Sequence, residues 1–130
     1  MTSPLSPKRD LLAIEDVTVR ERRVTIVRFM SNRISDTNEI EDIGSLLYGL
    51  VEEHGRTQLL LNFSNVQMIA SYLLGKLLGL KKRIKTAEGR LVLCEITPTR
   101  NPVVYEAFEV CGLLKLFEMY DTEEEALRNF

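Results

Sequence analysis

Two short stretches of the chain, Leu59-Leu60-Leu61-Asn62-Phe63 and Leu91-Val92-Leu93-Cys94, are apolar without alternation. A strand with one face in water alternates apolar and polar residues. Unbroken apolar runs belong to strands covered on both faces, as in parallel sheets packed between helices. The neighbouring segments have a different period. Ile40, Ile43, Leu46, Leu47, Leu50 and Val51 recur at helical spacing with acids opposite. Leu73, Leu74, Leu77, Leu78, Leu80 and Ile84 supply the buried side of a second helix from about Ser71 to Ala87. Helix alternating with two-sided strand implies parallel pairing through right-handed crossovers.

The remaining elements fit around this unit. Ile14 to Val19 and Val24 to Phe29 are β-rich runs separated by Arg20-Glu21-Arg22-Arg23, which predicts an antiparallel hairpin with the first strand at an edge. Asp36-Thr37-Asn38-Glu39 reads as a capping-box start for the first helix. Asn101 is placed as a cap before Pro102, the first residue of a helix running to Val110. Leu116 to Tyr120 reads as a last strand, and Thr122 with Glu125 caps a short final helix. Gly55, Gly89 and Gly112 each stand just past a helix, where a left-handed backbone favours glycine. The expected fold is α/β: a small mixed sheet of about five strands with about four helices. Residues 11–130 form one domain in this reading, and residues 1–10, with two prolines, a flexible tail.

The content of the chain removes several functions. It has 17 basic and 19 acidic side chains, a net charge of −2, which argues against a nucleic-acid binder. No apolar stretch approaches the roughly 18 residues of a membrane span, and the polar start has no signal-peptide core. The expected location is therefore cytoplasmic. His54, at a helix end, is the one histidine. Cys94 and Cys111 are read as small buried hydrophobes, and no zinc-ligand spacing exists. Without a nucleophile–base pair or metal set, an enzyme is the weakest reading, and no cofactor is implied.

Ligands and partners of such sheets meet the loops at the carboxyl ends of parallel strands. The loop after the most apolar strand, Asn62 to Gly75, places Ser71 at the start of the second helix. A hydroxyl there faces free N–H groups and the positive end of the dipole, so Ser71 either caps the helix or accepts a phosphate. Gly75 and Gly79 suggest close packing of that helix on the sheet. The helix is basic at Lys76, Lys81, Lys82, Arg83 and Lys85, while the first carries Glu39, Glu41, Asp42, Glu52 and Glu53. A solvated face explains such a bias, and so does guidance toward an acidic partner.

Several blocks in order resemble a STAS domain, closest to the bacterial anti-sigma factor antagonists. They are 59–69, the Leu-Gly-Lys-Leu-Leu-Gly-Leu-Lys-Lys-Arg-Ile helix at 74–84, Gly-Arg-Leu-Val-Leu-Cys at 89–94 and Val-Cys-Gly-Leu-Leu-Lys-Leu-Phe-Glu-Met-Tyr at 110–120. The resemblance implies a non-enzymatic regulator that docks on a serine-kinase anti-sigma factor or related signalling partner. It also implies a phosphorylation candidate, Ser71, on the family's target position. The loop departs from the family's Asp-Ser-Ser/Thr-Gly-Leu-Gly: Ala70 replaces the acid, Tyr72 the second hydroxyl residue and Leu73 the glycine. The implied partner surface comprises Asn65, Ala70, Ser71, Tyr72, Leu73 and Lys76, with Arg33 and Asp36 from the loop before the first helix. Asp36 serves equally as an N-cap. The alternative is a ligand- or nucleotide-sensing STAS module without a phosphoswitch, and self-association is compatible with either.

Overall fold

The computed structural model describes residues 11–130, so the expected tail at 1–10 lies outside the described residues. Strands β1 (Leu12–Val19) and β2 (Arg22–Phe29) form the antiparallel hairpin. Arg20 and Glu21 close it, both with positive φ. A two-residue strand β3 (Arg33–Ile34) precedes helix α1 (Thr37–Glu52). Then come β4 (Gln58–Asn62), a second two-residue strand β5 (Met68–Ile69) and helix α2 (Ser71–Thr86). The chain ends with β6 (Arg90–Cys94), α3 (Pro102–Val110), β7 (Glu118–Tyr120) and α4 (Glu123–Arg128). The main sheet has five strands in the order β1-β2-β4-β6-β7, parallel except for the hairpin. β1 is at its edge, as expected.

Alternate side chains of the central strands serve two cores, which is why the runs lack alternation. Val27, Phe29, Leu59, Leu61, Leu91 and Leu93 pack against α1, α2 and α3. Val24, Ile26, Leu60, Val92 and Cys94 face the other way, under Ala126 and Phe130 of the C-terminal segment. Each fully buried Leu or Ile contributes about 1.5–3 kcal/mol relative to exposure. The α4 side is pinned by charge as well. The Arg28 guanidinium donates to both oxygens of Glu123, Nη2 at 2.8 Å, and Asn62 Nδ2 donates to Glu123 Oε1 at 2.7 Å.

Several expectations need correction. The last strand begins at Glu118, because Leu116 and Phe117 lie in the turn after α3. Gly55 and Gly112 have positive φ, but at the end of α2 Glu88 takes that position instead. Gly89 is needed for closeness: a Cβ there would lie 2.1 Å from the Thr57 carbonyl oxygen. Gly79 packs against α1 rather than the sheet, since a Cβ would meet the Tyr48 hydroxyl at 2.4 Å, whereas Gly75 is open. Leu78 is exposed, on the outer side of α2. Cys111 is exposed at the end of α3, whereas Cys94 is buried. Burial, with Glu95 and Glu123 nearby, pushes the Cys94 thiol up and keeps it protonated and inert.

Candidate functional site at the start of α2

The two-residue strands that the sequence hides define the candidate site. β3 and β5 pair in parallel, Arg33 with Met68 and Ile34 with Ile69, forming a separate small sheet beyond the carboxyl end of the main one. Asn32 O accepts from Gln67 N at 2.7 Å and Ile34 O from Ala70 N at 2.9 Å. This pairing joins loop 32–36 to loop 65–72, so the two segments expected to share a surface do adjoin. Asn65 stands at the start of this second loop, its side-chain amide donating to Phe29 O at 3.4 Å.

A buried amide supports the junction from beneath. Asn101 occupies the cap position of α3, yet its side chain makes no cap bond. It is 0% exposed, and its Nδ2 donates to the carbonyls of Phe63, Val66 and Glu95 at 3.2, 3.2 and 2.9 Å. Its Oδ1 accepts from Thr97 N at 2.9 Å. One side chain thus fixes the loops leaving β4 and β6. Below them Phe29 and Phe63 pack with ring centroids 4.6 Å apart, and Phe108 meets the edge of Phe63 at 6.1 Å. The cap reading of Asn101 missed this role, because Asn before Pro looks the same in sequence whether its side chain caps or ties loops.

Ser71 is exposed and is the first residue of α2. The cap position itself falls on Ala70, which has no side-chain acceptor, so Ser71 does not cap the helix. Asp36 does cap α1, accepting from Glu39 N at 2.9 Å. The reciprocal half of that capping box is absent, since Glu39 accepts from Ser31 Oγ at 2.8 Å. Arg33 is exposed on the same side, its Nε directed to Ser35 Oγ at 3.4 Å.

Tyr72 and Lys76 belong to the seam between the two long helices. The Tyr72 hydroxyl donates to Glu41 Oε2, and Lys76 Nζ lies 3.2 Å from Glu41 Oε1 and 5.1 Å from the Tyr72 ring centre. The Lys76 stem crosses buried Gly44, where a Cβ would meet Cδ at 2.9 Å. Lys76 is therefore mostly covered, its side chain 19% exposed, rather than free on the helix surface. Leu73 is 0% exposed and packs in the larger core. It supports the surface from below, and its bulk does not obstruct an approaching partner. Apolar area on or near the face comes instead from Met30, Met68 and Tyr72, at 48%, 38% and 43% exposure.

Chemically, this corner offers backbone N–H groups, a free-standing hydroxyl and an apolar rim, an arrangement suited to contact. Among the described residues no group of three or more His, Cys, Asp or Glu side chains is placed to hold a metal. No described helix is long and apolar enough to cross a membrane.

Comparison with known proteins agrees with this architecture. The STAS domain family matches residues 17–126. The chain belongs to the STAS domain family. Among its relatives, the anti-sigma F factor antagonist of Paenibacillus polymyxa is 33% identical over 69 residues, 53% of this chain and 56% of that protein. The STAS chain thus spans little more than half the length of that relative. Among solved structures, an anti-sigma-factor antagonist (STAS) domain protein from Planctomyces limnophilus superposes with a TM-score of 0.71 at 23% identity, covering 89% of this chain and 96% of the other. The phosphorylated form of the Bacillus cell fate determinant SpoIIAA superposes with a TM-score of 0.66 at 24% identity, covering 91% and 97%. At these identities the structural likeness establishes the fold.

Proposed function

We propose that this STAS domain is a non-enzymatic, anti-sigma factor antagonist-like regulator that docks on a serine-kinase anti-sigma factor or related signalling partner. The docking face is the start of α2 with loops 32–36 and 65–72. The observation that carries the reading is the β3–β5 pairing, which holds two exposed loops as one preorganised surface. Preorganisation lowers the ordering cost of association, and exposed Met and Tyr side chains supply the apolar area of a contact. The anti-sigma factor antagonist relative supports the choice of partner class.

Within this reading, recognition rests on the shape of the face. Ala70 leaves no carboxylate beside Ser71, so the hydroxyl lacks the acceptor that accompanies the family's phosphorylated serine. Calorimetric titration against a kinase-type anti-sigma factor tests the proposal. Wild-type binding that falls at least tenfold in Met68→Asp/Ser71→Asp, with the fold intact by circular dichroism, supports it. Undiminished binding by that variant sinks the assigned face. Incubation with the same kinase and ATP, read by intact mass, determines whether Ser71 also carries phosphate. The expected result is no added phosphate on the wild type, and an 80 Da gain absent from Ser71→Ala would show a phosphoswitch on the same face.

A further inference from the structure

The two edges of the main sheet differ in length. At one edge β7 offers three residues, while at the other β1 offers eight and, among the described residues, pairs on one side only. The ladder shows which backbone groups face outward. Leu11 O accepts from Met30 N at 2.9 Å, and these two residues continue the register that pairs Leu12 with Phe29. Hydrogen-bonded and non-hydrogen-bonded positions alternate in an antiparallel pair, so Ala13, Glu15, Val17 and Val19 bond to β2. Leu12, Ile14, Asp16 and Thr18 turn their N–H and C=O groups to the open edge. Natural edge strands are usually closed to further pairing by shortness, a bulge, proline or lysine. β1 has none of these: eight consecutive residues pair with β2, and the strand reads Leu-Ala-Ile-Glu-Asp-Val-Thr-Val. Its two carboxylates are held within the chain, Glu15 by Arg28 Nη1 at 2.9 Å and Asp16 by Thr25 Oγ1 at 2.6 Å and Arg56 Nη2 at 2.9 Å. Ile14 is 47% exposed.

We propose that β1 pairs antiparallel with β1 of a second copy about a twofold axis at Ile14, joining two five-stranded sheets into one. Charge selects this register among those that bring the outward groups together. An axis at Glu15 sets Glu15 against its copy, and an axis at Asp16 does the same to Asp16; like charges directly opposite destabilise a pair. An axis at Ala13 pairs only Leu12 and Ile14 of the outward set. An axis at Ile14 sets Ile14 against Ile14, Glu15 against Ala13 and Asp16 against Leu12, so no like charges meet and the exposed aliphatic side chains cover each other. Leu12, Ile14 and Asp16 then exchange about six backbone hydrogen bonds with their copies. The mate is the same strand, and a closed twofold arrangement leaves no second edge of this kind open. A contact of one strand pair lies at the small end of specific interfaces, so the association depends on concentration. Loops 32–36 and 65–72 and the start of α2 take no part, so the dimer stands apart from the docking face.

The test is sedimentation velocity of the 130-residue chain up to about 1 mM, with cross-linking to read the register. The expected result is a dimer that grows with concentration and associates at least tenfold more weakly in Ile14→Lys, which sets two like charges on the axis. Circular dichroism reports whether that variant is folded, and cross-linking keeps the proposal testable if it is not. Opposed residues of a hydrogen-bonded pair have Cα atoms about 5.5 Å apart, within disulfide reach. In a Cys111→Ser background, which removes the exposed thiol, Ile14→Cys is expected to form a disulfide-linked dimer on mild oxidation and Thr18→Cys is not. A monomer at every concentration would leave the edge to an extended segment of another protein and overturn the proposal. So would a dimer unaffected by Ile14→Lys, or cross-linking at Thr18 in place of Ile14.

Discussion

The two long helices lie side by side, and each has 16 residues, but they are started in different ways. Helix α1 secures its own beginning: Asp36 accepts from Glu39 N, one of the donors that a helix start leaves unpaired. The cap position of helix α2 is Ala70, which offers no side-chain acceptor, and the helix is held from outside. Its approach is fixed by the bond from Ala70 N to Ile34 O and by Asn101 beneath the preceding loop. A self-capped helix start is occupied with its own stability. One fixed from behind keeps its front open, and this is where Ser71 stands.

That contrast orders the expected effects of substitution. The largest belongs to Asn101→Ala, which leaves the Val66 and Glu95 carbonyls and the Thr97 N–H of the junction without their partner, while Phe63 O keeps its bond from Val66 N. A loss of about 2–4 kcal/mol in urea unfolding is expected, because a buried unsatisfied group costs about 1–3 kcal/mol and several are created. A loss below 1 kcal/mol would mean that α2 is not held from behind. Asp36→Ala removes a single cap and is expected to cost about 1 kcal/mol in the same measurement.

Ala70→Asp should do the opposite. The Ala70 backbone already has the extended conformation of a cap, φ −88 and ψ 153, so a carboxylate there gains free N–H groups. A gain of about 0.5–1 kcal/mol at pH 7 is expected. The bound carboxylate would have a lowered pKa in the fold. The gain is therefore present above the unfolded Asp value of about 3.9 and fades as pH falls through the folded one. Thermal unfolding at pH 7 and pH 3 reads this directly, and no gain at pH 7 would show that the α2 start is already satisfied. Tyr72→Phe is the smallest change. It removes an exposed hydroxyl from the Glu41 seam and should shift stability by less than about 0.5 kcal/mol. A larger loss would make the seam part of what holds α2.

The scaffold was legible because each of its elements carries its own local signal. The unbroken runs at Leu59 and Leu91, the caps Asp36 and Thr122, and Gly55 and Gly112 all lie where the fold uses them. The junction was not, for a physical reason. β3 and β5 have two residues each, too few to show a period, and their stability comes from each other across the intervening chain. Lys76 reads as a free surface residue because nothing in sequence reveals that Glu41 lies opposite it. Leu73 reads both ways, as buried by its helical spacing and as partner surface by its place beside Ser71, and the turn of the helix sends it inward as the spacing implies. Residues at the candidate site were found by position in a loop, and their division into contact and support required the fold.

The most direct test of the docking account is amide hydrogen exchange of the protein alone and in complex with a kinase-type anti-sigma factor. The account predicts added protection in residues 30–36 and 65–73, with the β1 edge, α3 and α4 unchanged. Protection centred on α3 or α4, with the start of α2 exchanging as in the free protein, would contradict it.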